Sequence, residues 1–113
     1  MLADSEVKLS IIGDVHRGPG SPLRPDVLKT IGSVTDTLWP NVSVLPILLA
    51  GATDGMYLRA AGIPAYGVTG FFMDRDDFRA HGRDERISIQ AFYEGQTFLY
   101  DLVKALSKAA NQR

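Results

Sequence analysis

The chain has two histidines and no cysteine, so imidazole and carboxylate are its candidate metal ligands and proton carriers. The first histidine lies in "VKLSIIGDVHRGPG", where an apolar run ends in Gly13-Asp14-Val15-His16. An Asp-x-His at a strand end is one way to begin a two-metal phosphoesterase site. Such a site draws several His, Asp and Asn ligands from several loops. No Gly-Asn-His and no Gly-x-His-x-His follows anywhere, so that reading fails for lack of partners.

The second histidine lies in "FRAHGRDERISI", residues 78 to 89. His81 falls in a loop, and Gly82 beside it frees the backbone for a close approach. Neutral imidazole is the commonest protein ligand for zinc. Asp84 and Glu85 are placed to orient the ring through its second nitrogen. On these letters alone, a surface or packed histidine is the commoner outcome.

The elements that must carry these residues alternate. Val7, Leu9 and Ile11 suggest a half-buried strand, and Gly18 to Pro22 then interrupts the chain with turn-forming residues. Pro25 suits the first turn of a helix whose apolar stripe is Val27, Leu28, Ile31, Val34 and Leu38, closed by Trp39-Pro40. Residues 42 to 49 read as a strand buried on both faces, with Pro46 forcing an edge or a bend. Thr53 or Asp54 caps a short helix that Gly62 and Pro64 end. Ala65 to Thr69 reads as another short strand, and Gly70 to Arg86 as a long charged loop. Within that loop Asp76-Asp77 reads as a solvated pair or a helix cap. Ser88 caps a long helix with Phe92, Leu99, Leu102, Val103 and Leu106 on its buried face. Gly95 costs that helix roughly 1 kcal/mol unless a neighbour crosses closely there. Strands alternating with helices give the class α/β.

Composition narrows the function. Twelve basic and thirteen acidic residues leave a net charge of −1, which gives no electrostatic basis for a nucleic-acid or membrane partner. No apolar run approaches the length of a membrane span. The compartment stays open.

"AGATDGMYLRAAGIPAYGV", then "AHGRDERI", then "FYEGQTFLYDLVKAL" closely resemble the C-terminal end of one hydrolase family. These are the dizinc exopeptidases that include aminoacylase, carboxypeptidase S and succinyl-diaminopimelate desuccinylase. The resemblance runs from about Ser21 to Leu106. It implies an α/β fold, a partial three-layer sheet with helices. Residues 1–17 would close a lid or dimerisation domain, and 18–113 would form the C-terminal part of the catalytic domain. His81 would be a zinc ligand, braced by Glu85 and Arg86, and His16 would have no metal role. Gly51, Ala52, Thr53 and Asp54 would line the substrate pocket. Arg59 would receive the carboxylate of a peptide or N-acyl amino acid, a task suited to its planar fork, unless a structural ion pair occupies it.

The chain departs from the family in what it lacks. Glu6, Glu85 and Glu94 are its three glutamates, no two adjacent, so the Glu-Glu pair that supplies the family's general base is absent. No catalytic residue is assigned. The expectation is a C-terminal portion of a dizinc peptidase or amidohydrolase, inactive alone and assembling as a homo-oligomer through faces left bare. The competing expectation is a non-catalytic assembly module that kept the scaffold.

Overall fold

Helix α1 spans Pro25–Leu38. Pro25 opens it where its missing N–H is no loss, and the Leu28 amide donates to the Arg24 carbonyl at 3.0 Å. Asp26 occupies the first turn, where its charge suits the helix dipole, and pairs with Arg24. Trp39 ends the helix as expected, and Asn41 takes a left-handed φ of +70° in the turn that follows. Helix α3 spans Ile89–Ala110. Its expected cap forms: Ser88 Oγ accepts the Ala91 amide at 3.0 Å.

The computed structural model describes residues 6–8, 10, 12, 13, 19–48 and 51–110. They fall into two units, one of the described residues up to 21 with 51–66, the other of 22–48 with 67–110. In the larger unit α1 packs on α3 around Ile31, Phe98 and Leu102, with Val27, Val34, Leu38 and Val68 closing over them. The buried face of α3 runs through Ala91, Gly95, Phe98 and Leu102. Phe92 and Val103, expected inside, are 41% and 61% exposed. Two apolar stripes at helical spacing lie side by side on this helix, and periodicity alone does not say which one meets α1.

Residues 68 to 72 are held against the same helices by aromatic packing. Phe98 fills the space over Gly70, and the Phe71 ring fills the space over Gly95. Phe72 meets Trp39 edge-on at 4.8 Å, and Phe71 stacks near Phe92 at 6.2 Å between centroids. Trp39 also donates from Nε1 to Glu94 Oε2 at 3.2 Å, joining the end of α1 to α3.

The expected sheet is not formed among the described residues, which carry three helices and no strand. Residues 42–48, expected to be buried on both faces, are exposed throughout; Leu48 is 95% exposed. A strand exists only by pairing, and this run joins no ladder among the described residues. Ala65, at the start of the other expected strand, is tied to a side chain instead. Ser21 Oγ donates to the Ala65 carbonyl at 2.7 Å and accepts its amide at 2.9 Å, so one hydroxyl takes both groups a ladder would use. Of the strand expected at 7–12, residues 7, 8, 10 and 12 are described and belong to no strand.

In the smaller unit, helix α2 spans Gly55–Ala60. It ends where expected, in a Schellman arrangement. The Gly62 amide donates to Arg59 (3.0 Å), the Ile63 amide to Leu58 (2.9 Å), and Gly62 takes a φ of +80°. The expected side-chain cap does not form. Asp54 is already in the α region, and the first turn is closed by the carbonyls of Thr53 and Asp54 instead.

Candidate functional site

His81 sits in a loop whose two ends are both fixed to α3. Upstream, Phe71 rests on Gly95; downstream, Ser88 caps the helix. Between these anchors, the Gly82 amide donates to the Arg79 carbonyl at 3.0 Å, which closes a turn with His81 third. In that place His81 takes a positive φ of +65°, as the third residue of a type II turn does. Glycine or asparagine is the residue such a position prefers, and a bulkier side chain there costs on the order of 1 kcal/mol. The sequence suggests the backbone freedom at Gly82. The left-handed residue is the histidine, and Gly82 serves space instead: a Cβ there would lie 3.1 Å from the Arg79 carbonyl oxygen. Residues held against their backbone preference concentrate at functional positions.

A network of arginines and aspartates ties the loop together. Arg79 donates from Nε to Asp77 Oδ1 and from Nη1 to Asp84 Oδ2. Arg86 donates from Nε (2.9 Å) and Nη2 (2.7 Å) to Asp77 Oδ2. The hydrogen bonds from Arg79 and Arg86 hold the Asp77 carboxyl below its ordinary value of 3.8. The hydrogen bonds that Arg79 donates to Asp77 and Asp84 hold its guanidinium above its ordinary value. Asp77 is therefore neither a free solvated carboxylate nor a helix cap. Of the two expected braces, Arg86 acts through its side chain and Glu85 only through its amide, which donates to the Gly82 carbonyl at 3.4 Å; Asp84, expected to orient the imidazole, is engaged by Arg79. A depression of about 440 Å³ lies alongside, lined by Phe72, Met73, Asp74, Ile87 and Ser88 with Asp77 and Arg86.

The His81 imidazole is exposed and has no hydrogen-bond partner among the described residues. No three His, Asp or Glu side chains among those residues are gathered as a metal would need. His81 is a donor without a set, so these residues do not by themselves fit a zinc ion. Asp14 and His16 lie outside the described residues.

The expected substrate residues lie in the smaller unit. Gly51, Ala52, Thr53 and Asp54 are exposed on the approach to α2. Thr53 and Arg59 meet over Gly55: a Cβ there would lie 3.0 Å from Arg59 Nη1 and 3.2 Å from Thr53 Oγ1. Gly55, which sequence reasoning passes over, leaves open the space that both the hydroxyl and the guanidinium border. The ion pair that would have given Arg59 a structural role is not formed among the described residues.

Residues 6–105 match the sequence profile of Peptidase family M20/M25/M40. The chain belongs to this family. Among curated M20 relatives, human aminoacylase-1 is 34% identical over 67 residues, 59% of this chain and 16% of its own length. Rat aminoacylase-1A is 36% identical over the same share. The human N-fatty-acyl-amino acid synthase/hydrolase PM20D1 is 24% identical over 108 residues, 92% of this chain and 22% of its own length. The chain therefore spans about a fifth or less of the M20 relatives it matches. No solved structure matches it.

Proposed function

We propose that this chain carries the His81-bearing part of an M20 amide hydrolase acting on a peptide or N-acyl amino acid. The observation that carries the reading is the family match, which covers residues 6–105 in one stretch. The family is metal-dependent in general, and the metal proposed is zinc, with His81 as one ligand. Gly51, Ala52, Thr53 and Asp54 form the substrate-pocket loop. Arg59 takes the substrate carboxylate through its two-pronged guanidinium. Its half-buried position suits that task, because partial desolvation strengthens such a pair. Residues 1–17 belong to the lid or dimerisation domain and 18–113 to the catalytic domain. The chain alone is inactive, since a zinc hydrolase needs several protein ligands around its metal. It assembles as a homo-oligomer.

A second reading rests on the absence of a gathered donor set among the described residues. There the chain is a non-catalytic assembly module on the M20 scaffold.

A chimera separates the two readings. The part of this chain that matches human N-fatty-acyl-amino acid synthase/hydrolase PM20D1, over 108 residues, replaces the matching segment of that enzyme, and hydrolysis of N-fatty-acyl amino acids is measured. His81→Asn is the informative variant, because asparagine tolerates positive φ and the imidazole alone is lost. The hydrolase reading expects an active chimera that His81→Asn silences and His16→Ala leaves intact. Activity indifferent to His81→Asn would sink the ligand assignment, and a folded, inactive chimera would favour the assembly module.

A further inference from the structure

We propose that Arg79 is the positioning residue for His81, and that it strains the turn in order to present the imidazole outward. This rests on the reading of His81 as a ligand.

The geometry gives Arg79 three attachments around one residue. Its carbonyl accepts the Gly82 amide at 3.0 Å, which closes the turn over His81. Its side chain reaches Asp77 on the upstream side and Asp84 on the downstream side, strapping together the two flanks of that turn. Arg86 then holds Asp77 from further downstream, on the oxygen that Arg79 leaves open. The strap needs a planar fork with donors pointing in two directions; a lysine ammonium is a point charge and does not span both carboxylates.

The arrangement also settles what happens to the carboxylates near His81. Asp77 and Asp84 flank His81 in the chain, and Glu85 is the remaining acid of the loop's downstream side. Arginine takes the two aspartates, and the ring is exposed and without a partner among the described residues. The left-handed histidine opposes the turn, and the strap counters it. Each bridge is partly solvated, with side-chain exposures between 33% and 61%, so the effect is local order rather than global stability.

The experiment uses the 113-residue chain in solution without metal. Amide exchange of Gly82 and the φ-dependent coupling of His81 are followed by NMR, with the thermal midpoint recorded beside them. Arg79→Gln is expected to speed Gly82 exchange about tenfold and shift the His81 coupling toward negative φ, with the midpoint unchanged. Arg79→Lys is expected not to rescue either signal. Unchanged Gly82 and His81 signals in folded Arg79→Gln would overturn the proposal, as would full rescue by lysine. Where Arg79→Gln unfolds the chain, Asp84→Asn decides, because it cuts only the downstream arm: loss of the same two signals supports the strap and their persistence overturns it. A loop that loosens as stated, beside a chimera that survives His81→Asn, would sink the ligand reading and leave the strap standing.

Discussion

The Phe71 ring occupies the space over Gly95, where an added Cβ would lie 2.1 Å from Phe71 Cδ1. Gly95 is thereby the seat of the segment that leads into the His81 loop. Ordinary helix propensity says that Gly95→Ala should stabilise α3 by about 1 kcal/mol. The seat reverses the sign. Overpacking of this kind costs about 1–3 kcal/mol, so Gly95→Ala is expected to lower the unfolding midpoint. Phe71→Ala made in the same chain should remove most of the penalty, which a double-mutant cycle measures.

The two apolar stripes on α3 differ in energetic weight. Leu102→Ala removes a side chain from the α1–α3 core and is expected to cost about 2–5 kcal/mol. Val103→Ala changes an exposed residue and should stay within about 0.5 kcal/mol. Urea denaturation of the two variants compares them; equal losses would mean that α3 packs through the other stripe.

Much of this was legible in the sequence because the signals were local. Pro25, Trp39, Gly62 and Ser88 bound their helices as read, since caps and breakers act within a turn of themselves. Gly95 raises the question of a close crossing in the sequence, and the neighbour that answers it, Phe71, lies too far along the chain to be read there. Illegible features depended on partners far along the chain. Residues 42–48 have a strand's composition and join no ladder among the described residues. Glu85 and Asp84 are adjacent acids of equal promise, and only the path of Arg79 decides between them. The positive φ of His81 was hidden because Gly82 beside it offered the same freedom more cheaply.

The exposed run at 42–48 leads to an expectation about assembly. Val44, Leu45, Ile47 and Leu48 present apolar side chains and unpaired backbone to solvent, a combination that templates association between chains. The chain is expected to form a two-fold dimer, and Leu45→Lys with Ile47→Lys should return it to a monomer. Size-exclusion chromatography with light scattering reads the mass directly; a monomeric parent chain would refute this.

Acid should loosen the His81 loop in a defined window. Arg79 and Arg86 hold the Asp77 carboxyl below 3.8, so its ionised form is favoured in the folded chain. The bridge's contribution is complete above the unfolded value and is lost as the pH falls through the depressed folded one. An NMR titration following the Arg86 Nε proton should show this step, and Asp77→Asn should erase it.

Calorimetric titration of the 113-residue chain with Zn²⁺ tests most directly whether His81 is one ligand of a set that this chain does not complete. The expected result is weak binding with no stoichiometric site, accompanied by no turnover of dipeptides or N-acyl amino acids. A one-to-one site of sub-micromolar affinity, lost in His81→Asn, would show that the chain holds the metal by itself and would contradict that reading.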